Sequence, residues 1–143
     1  MLTVCTKVVV PYDNSELSKK ALETAIMLAK QDERIELNVI TVIDVTGSIY
    51  YYGNGDPVRE AQLKGAKEAL NEVEQKLKAL PNKTKTYLLE GNPASSIVDF
   101  VKQENVDLIV MGSRGLSGLK EIFLGSVSHY VVQKSCCPVF IVK

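Results

Sequence analysis

The 143-residue sequence predicts a single α/β domain, residues 1–143, built around a doubly wound parallel β-sheet with helices on both faces. Apolar segments rich in β-branched residues alternate with amphipathic segments along the chain, and such alternation produces parallel sheets through right-handed crossovers. Two of the β-rich segments, Val8–Val10 and Leu108–Met111, are apolar throughout, which is typical of strands at the buried centre of such a sheet. The alternation by itself leaves the order of the strands open.

Five segments are predicted to be strands, because each combines β-branched and apolar residues and most are bounded by turn-forming or helix-capping residues. They are Thr3–Val10, Ile35–Ile43, Thr84–Leu89, Asp107–Met111 and Pro138–Val142.

Helices are predicted between the strands. The first covers Ser15–Lys30 and has one apolar stripe, with Asp13, Asn14 or Ser15 available as its N-cap; the stripe consists of Leu17, Ala21, Ala25 and Leu28. The second follows Asp56-Pro57, a cap followed by proline at the first helical position; its apolar residues, spaced to pack on a sheet, are Leu63, Ala66, Leu70, Val73, Leu77 and Leu80. A third helix begins at Asn92-Pro93, and a fourth begins at Gly125.

Composition excludes several classes of function. Lys+Arg and Asp+Glu are 17 each, and without a basic excess or a basic run the chain is not expected to bind nucleic acid. No apolar run approaches the length of a membrane span, and the first residues lack the pattern of a secretory signal, so a cytoplasmic location is expected. The three cysteines are expected to be reduced and mostly packed, with a redox switch at Cys136-Cys137 as the alternative.

The most specific feature of the chain is a group of glycines that follows the fourth predicted strand. Two residues separate Gly112 from Gly115, and Gly125-Ser126 follows after nine more residues, at the start of a predicted helix. Glycine lets backbone N–H groups approach a ligand closely, and the first turn of a helix has unpaired N–H donors and a partial positive charge. The spacing G-x2-G-x9-G-S therefore predicts a phosphate-binding loop.

Two known phosphate-binding loops have other spacings. A P-loop requires G-x4-G-K-[ST], which starts at neither Gly112 nor Gly115, and the dinucleotide fingerprint follows the first strand rather than the fourth. Ligands of doubly wound sheets bind at the carboxyl ends of the strands. If strands one and four are neighbours, the loops Pro11–Ser15 and Gly112–Ser126 face each other across that crevice.

Several segments resemble the universal stress protein family, over essentially the whole chain. They are Val10–Ser15, Glu90-Gly91-Asn92-Pro93-Ala94, Leu108–Gly115 and Cys137–Val142. The segment from Gly112 to Ser126 is similar to the motif of the ATP-binding branch of that family. The resemblance implies a five-stranded parallel sheet of order 3-2-1-4-5 and a homodimer.

The resemblance also implies roles in holding ATP, or else ADP or AMP. Asp13, beside Pro11, would accept a hydrogen bond from a ribose hydroxyl or help to hold Mg²⁺ or Mn²⁺ through the nucleotide phosphates. Val42 would offer backbone groups to the adenine edge. The residues that would line the ribose and phosphates are Met111, Gly112, Arg114 and Gly115. The residues that would bind phosphate through N–H and hydroxyl groups are Gly125, Ser126, Val127 and Ser128.

Catalytic machinery is not evident in the sequence. The single histidine, His129, has no carboxylate close to it in sequence, and neither a G-x-S-x-G motif nor a His/Cys metal-ligand cluster is present. Nothing in the chain is suited to orient an attacking water for phosphoryl transfer. We therefore expect an ATP-binding stress-response regulatory protein with at most slow ATP hydrolysis.

Two other classes of function remain as alternatives. A phospho-receiver domain would use Asp13 and Lys143, but the third strand ends in Glu90, where a phosphoacceptor aspartate is required. A flavodoxin-like electron carrier would need a hydroxyl- and glycine-rich loop after strand one, and Pro11–Ser15 contains no glycine.

One segment departs from the family pattern. The loop Asp44–Gly55 contains Tyr50-Tyr51-Tyr52 between glycines. A flexible surface loop is expected there, with a lid or a docking patch as alternatives.

The final strand predicts a homodimer. Pro138–Val142 is apolar on both faces and is followed only by Lys143. At a sheet edge, as the family order implies, such a strand tends to pair with another chain. A two-fold axis would bring two copies together antiparallel. The alternative is a monomer in which helices cover this edge.

Overall fold

The computed structural model, which describes residues 5–44, 57–115 and 124–143, contains five parallel strands in one sheet. The strands are β1 (Lys7–Pro11), β2 (Glu36–Ile43), β3 (Thr84–Glu90), β4 (Leu108–Gly112) and β5 (Val139–Val142). Their order across the sheet is β3-β2-β1-β4-β5. The predicted α/β fold and the strand order implied by the resemblance are both confirmed.

Strand β1 lies at the centre of the sheet. It pairs with β2 along its whole length, from Lys7 opposite Glu36 to Pro11 opposite Ile40, and with β4 on its other side. Val8–Val10 is completely buried. The expectation that this segment forms the buried centre is therefore confirmed, and the carboxyl ends of β1 and β4 lie side by side.

Helices cover both faces of the sheet. In the described parts of the chain they are α1 (Glu16–Ala29), α2 (Pro57–Leu77), α3 (Pro93–Gln103) and α4 (Ser126–Lys134). Helices α1 and α2 share one hydrophobic core with Val8 and Val10, while α3 and α4 share the other with Val9. The two cores alternate along β1 because successive side chains of a strand point to opposite faces.

The N-caps of α1 and α3 follow from the sequence. Ser15 caps α1, where its hydroxyl accepts a hydrogen bond from the Ser18 N–H at 3.2 Å. Asn92 caps α3, where its side chain accepts from the Ser95 N–H at 3.0 Å, and Pro93 occupies the first turn. Of the three cap candidates for α1, Ser15 is therefore the correct one.

The predicted stripe on α1 is partly wrong. Ala21 and Ala25 are buried, but Leu17 and Leu28 are only half-buried, and Leu22 and Ile26 take the central positions. Compared with the predicted orientation, the helix is rotated about its axis so that Leu22 and Ile26 point into the core that it shares with α2.

The stripe on α2 extends beyond the part that packs. The residues that are buried are Leu70, Val73 and Leu77, whereas Leu63 and Ala66 are half-exposed. Leu80 lies past the end of the helix at Leu77, although it still packs against the same core.

Strand limits differ from the prediction by a few residues. Strand β2 begins at Glu36 because the Ile35 N–H donates to the Asp32 carbonyl in a turn, whereas the Glu36 N–H donates to Thr6. Gly112 belongs to β4, and Pro138 precedes β5. The predictions for Thr3, for the cap Asp56 and for Tyr50–Tyr52 lie outside the described residues.

The strand order also decides between the candidate folds. Flavodoxin-like folds, including receiver domains, have the order 2-1-3-4-5, in which the third strand lies next to the first. Here β3 is at the edge, two positions from β1, so Glu90 lies away from Asp13. Both alternatives are therefore wrong at the level of topology.

No helix in the described ranges is both long enough and apolar enough to cross a membrane.

Candidate functional site

A cavity of about 340 Å³ opens at the carboxyl ends of β1, β2 and β4. Every residue predicted from the sequence for the site lines this cavity: Pro11, Asp13, Val42, Met111, Gly112, Arg114, Gly115, Gly125, Ser126, Val127 and Ser128. The structure brings these residues together, and their roles toward a ligand remain predictions.

Further lining residues were missed from the sequence. They are Tyr12, Ser18, Ile40, Pro93 and Ile97. Ile40 could have been found, because it lies two positions before Val42 and therefore on the same face of β2. Pro93 and Ile97 come from the first two turns of α3, and no spacing within the sequence indicates that this helix reaches the cavity.

The loop between β1 and α1 is held firmly at the cavity. The Tyr12 N–H donates to the Ile40 carbonyl and the Thr41 hydroxyl donates to the Tyr12 carbonyl, both at 2.8 Å. The Ser15 N–H donates to a carboxylate oxygen of Asp13 at 3.0 Å. Between them Asn14 adopts φ 65°, a left-handed conformation that asparagine tolerates. Together these contacts fix the Asp13 carboxylate at the cavity.

The Tyr12 phenol lies near carboxylates from this loop and from the helices α1 and α2. Burial raises the pKa of the Tyr12 hydroxyl, and the nearby carboxylates of Glu72, Asp13 and Glu16 raise it further. The hydroxyl therefore stays protonated, and it donates to the Asn14 side-chain oxygen at 3.1 Å. Tyr12 consequently supports the loop and contributes no charge.

The end of β4 and the start of α4 are hydrogen-bonded to each other. The Ser113 N–H donates to the Val142 carbonyl of β5 at 2.9 Å, and the Ser113 carbonyl accepts from the Gly125 N–H at 2.7 Å. Gly125 is the N-cap residue of α4, and this helix has no side-chain cap hydrogen bond, in contrast to α1 and α3. The N–H groups of a first helical turn have no partner within the helix. This turn, Ser126–Ser128, lines the cavity.

The Ser128 hydroxyl is oriented away from its predicted role. It donates to the Ser113 carbonyl at 2.6 Å, lies 3.1 Å from the Gly125 carbonyl, and belongs to a side chain that is only 2% exposed. A hydroxyl has one hydrogen to donate. In this conformation the hydroxyl is therefore used within the protein, and the Ser128 N–H is the group that we expect to face a phosphate.

The glycines of the motif are needed for space rather than for a left-handed backbone. None of Gly112, Gly115 and Gly125 has a positive φ. A Cβ on Gly115 would overlap a carboxylate oxygen of Asp13, and one on Gly125 would lie 3.2 Å from the Arg114 Cα. The absent side chains therefore let Gly115 lie close to Asp13 and the start of α4 lie close to Arg114.

Asp13 and Arg114 bring charge to the cavity, whereas the single histidine lies outside its lining. Asp13 is exposed and Arg114 is half-buried, and both line the cavity. His129 is exposed and is not among the lining residues. Its backbone N–H donates to the Gly125 carbonyl, as in an ordinary first turn.

The described residues do not form a metal centre by themselves. Within residues 5–44, 57–115 and 124–143, no group of three or more His, Cys, Asp or Glu side chains could hold a metal ion. Hard divalent cations require several oxygen ligands. A divalent ion at this site would therefore need most of its ligands from nucleotide phosphates and water, with Asp13 as the nearby carboxylate.

The cysteines differ in their surroundings. Cys5 and Cys137 are half-buried, and burial raises the pKa of both thiols, with Asp107 adding to the effect. The Cys137 N–H donates to the Ser135 hydroxyl at 3.1 Å. Cys5 and Cys137 each pack against one of the two hydrophobic cores, whereas Cys136 is exposed. This agrees with the expectation that the thiols are mostly packed.

Comparison with known proteins identifies the family of the chain. A profile of the universal stress protein family matches residues 5–143. The universal stress protein YxiE of Bacillus subtilis is 39% identical over 146 residues, which cover 96% of this chain and 98% of the relative. The universal stress protein MJ0577 of Methanocaldococcus jannaschii is 32% identical over 160 residues, which cover 100% of this chain and 98% of the relative.

Solved structures agree as well. The structure of MJ0577 has a TM-score of 0.89 at 31% identity and covers 99% of this chain and 97% of that chain. A universal stress protein solved in complex with cAMP has a TM-score of 0.66 at 27% identity, with 96% of each chain covered. With the profile match over nearly its whole length, the chain belongs to the universal stress protein family.

Proposed function

We propose that this universal stress protein is an ATP-binding regulatory protein of the stress response that works as one domain, residues 1–143. The nucleotide would lie in the cavity at the carboxyl ends of β1 and β4. The observation that carries the proposal is the start of α4, which lines the cavity, lacks a side-chain cap and follows the end of β4. A helix start of this kind favours an anion through its N–H groups and its dipole.

The side of the cavity that β2 and α3 form is suited to a base. Its aliphatic residues are Ile40, Val42, Pro93 and Ile97, and Met111 of β4 adds a further apolar side chain. Such a surface binds the face of a base without reading its edge. We propose that the Val42 backbone reads the adenine edge, and that this favours adenine over guanine.

The side that β4 and α4 form is suited to phosphates. Arg114 supplies a permanent cation with several N–H donors in a fixed plane, a geometry that matches phosphate oxygens. Gly115 and Gly125 have no side chain that would keep a phosphate away from the backbone, and Ser126 offers the first N–H of α4. Placing the base near β2 and the phosphates near α4 lets the nucleotide lie across the end of β1, where Asp13 would reach the ribose or a phosphate-bound Mg²⁺ or Mn²⁺.

The comparisons support an adenine nucleotide in general terms. One relative was solved with cAMP, which contains both adenine and a phosphate. The G-x2-G-x9-G-S spacing resembles the motif of the ATP-binding branch and supports a bound adenine nucleotide, which would be ATP or else ADP or AMP. Family membership and strand order together argue against the receiver and flavodoxin alternatives.

Calorimetric titration of ATP with Mg²⁺ into the wild type and Arg114→Gln tests the proposal. Loss of a charge-assisted hydrogen bond costs about 1.5–3 kcal/mol, so the variant should bind ATP roughly 10- to 100-fold more weakly. Arg34→Gln is the matched control. Arg34 pairs with Asp32 in the turn before β2, at the amino end of that strand, whereas the cavity lies at the carboxyl ends. Absence of ATP binding by the wild type at millimolar concentration would refute the proposal.

We further propose that ATP hydrolysis is slow at most. His129 is exposed and does not line the cavity, and the described lining residues offer no histidine as a base. Turnover should fall far below the median enzyme rate of about 10 per second, and His129→Ala should leave it unchanged. Rapid turnover that His129→Ala abolishes would reveal a catalytic site.

A homodimer through β5 is part of the proposal. Strand β5 lies at the edge of the sheet, and its Phe140 side chain is 46% exposed. An antiparallel pairing of two β5 strands across a two-fold axis would satisfy both edges and cover Phe140.

A further inference from the structure

We propose that Ser128 is a positioning residue, whose hydroxyl holds the first turn of α4 against the end of β4 and so aligns the N–H groups that bind phosphate. The inference rests on the proposed function, because it concerns the same anion site. It differs in assigning the Ser128 side chain to the alignment of the site instead of to contact with the ligand.

The contacts of Ser128 connect two separate parts of the chain. Its hydroxyl donates to the Ser113 carbonyl at 2.6 Å, across a separation of 15 residues. The Gly125 N–H donates to the same carbonyl at 2.7 Å. The Ser113 carbonyl therefore accepts two hydrogen bonds from the start of α4, one from the side chain and one from the backbone.

Burial favours these contacts over a phosphate. Ser128 is 2% exposed, so its hydroxyl has little access to solvent. Phosphate oxygens are acceptors, and the one hydroxyl hydrogen is already donated to a carbonyl. Turning the hydroxyl to a phosphate would leave the Ser113 carbonyl with one donor fewer.

The result for the ligand follows from preorganisation. The N–H groups of Ser126, Val127 and Ser128 can converge on one anion only if the first turn keeps its place beside Ser113. Without the hydroxyl, the Ser113 carbonyl would keep only the Gly125 N–H of the two hydrogen bonds described above. Part of the binding free energy would then be spent on ordering the turn.

The principal test compares Ser128→Ala with the wild type by calorimetry against ATP, AMP and adenosine. We expect ATP binding to weaken roughly tenfold, as for one lost hydrogen bond, AMP binding to weaken less, and adenosine binding to stay the same. Ser128→Thr keeps the hydroxyl and should restore most of the affinity. Thr24→Ala is the control, since it removes a hydroxyl that donates to the Lys20 carbonyl on the outer part of α1.

A second readout is taken without nucleotide. Hydrogen exchange of the Gly125 amide, followed by NMR, reports how firmly the start of α4 is held to Ser113. The amide should exchange several-fold faster in Ser128→Ala than in the wild type. Ser126→Ala, in which an exposed hydroxyl of the same turn is removed, should leave this exchange rate unchanged. Should Ser128→Ala fail to fold, Ser128→Cys replaces it, because a thiol is only a weak donor.

The outcomes separate this inference from the proposed function. If the wild type binds ATP and Ser128→Ala binds it equally well, the positioning role is overturned and the proposed function stands. If ATP binding weakens while Gly125 exchange stays at the wild-type rate, the hydroxyl acts by direct contact and the inference is overturned. If the wild type binds no nucleotide, the proposed function fails, and the inference fails with it.

Discussion

A Cβ atom on Gly112 would lie 2.8 Å from the Cβ of Leu17 and 3.0 Å from its carbonyl carbon. Gly112 is the last residue of β4, and Leu17 lies in the first turn of α1. The missing side chain at this position thus lets a helix approach a strand closely. Its first effect is on packing, although the residue also lines the cavity.

Gly112→Ala should therefore destabilise the protein. Overpacking against backbone atoms costs typically 1–3 kcal/mol, and we expect about that loss in the free energy of unfolding by urea. Gly65→Ala is the matched control, because Gly65 is exposed within α2 and an added Cβ has nothing within 4 Å. There the substitution should stabilise the helix by about 0.5–1 kcal/mol. Equal effects at the two positions would contradict this explanation.

Residue types at the site could be predicted because their chemistry is local. Asp13, Arg114 and the glycines stand out by charge or by the absence of a side chain. The direction of the Ser128 hydroxyl could not be predicted, since it depends on where Ser113 lies after folding. Ile97 was missed for a similar reason, because it reaches the cavity only through the approach of α3.

At the scale of elements, the amino ends of β1 and β4 are joined by Asp107. One carboxylate oxygen of Asp107 accepts from the N–H and hydroxyl of Thr6, at 2.9 and 2.6 Å, and from the Lys7 N–H at 2.9 Å. The Asp107 N–H donates to the Lys7 carbonyl. These contacts hold β1 and β4 in register at their amino ends, and the cavity lies at the opposite ends of the same strands.

The Asp107 contacts predict a pH-dependent contribution to stability. Burial alone would raise the pKa of Asp107, but the hydrogen bonds from Thr6 and Lys7 and the charge of Lys7 outweigh it and lower the pKa. The folded state therefore binds this proton less readily than the unfolded chain. The contribution is present above the unfolded pKa of about 4 and is lost as the pH falls through the folded pKa.

Asp107→Asn should accordingly lower the free energy of unfolding at pH 7 by about 1–3 kcal/mol, as for hydrogen bonds to a charged group. Below pH 4 the difference from the wild type should shrink. Urea unfolding at several pH values measures both effects. Glu33→Gln, at an exposed position before β2, should change stability by less than about 0.5 kcal/mol. A deficit in Asp107→Asn that stays constant down to pH 3 would contradict the role of the charge.

Helix and strand positions could be predicted to within a few residues, but the rotation of α1 could not. Periodicity marks a stripe on α1, and both Leu17 and Leu22 fit an apolar face. The choice between them depends on α2, which packs beside α1 in the same core. Ser15 as the cap could be proposed from the sequence, although only the hydrogen bond to Ser18 separates it from Asp13 and Asn14.

For the whole molecule, the order of the strands determines both the site and the exposed edge. Alternation of strands and helices predicts a parallel sheet, but it permits several orders, and the correct one came from the family resemblance. With β1 and β4 adjacent, two loops that are distant in sequence form one cavity. With β5 at the end of the strand order, its outer side is where we propose that a second copy of the chain pairs.

The dimer prediction is best tested at Phe140. Ile141 packs against the core shared with α3 and α4, so a charge there would also disturb the fold, whereas Phe140 is half-exposed. Phe140→Lys would place like charges near the proposed two-fold axis and should yield folded monomers that still bind ATP. Light scattering at micromolar protein concentration measures the change. Met27→Lys, at an exposed position on α1, is the control that should remain dimeric. A monomeric wild type would rule the dimer out.

The central claim is that the cavity at the ends of β1 and β4 holds an adenine nucleotide. Equilibrium dialysis against an equimolar mixture of ATP, GTP, CTP and UTP with Mg²⁺, followed by chromatography of both compartments, tests it most directly. We expect ATP to accumulate with the protein at least roughly tenfold over GTP, since unpaired polar groups at the base edge cost about 1–3 kcal/mol each. Equal accumulation of all four nucleotides, or of none, would contradict the claim.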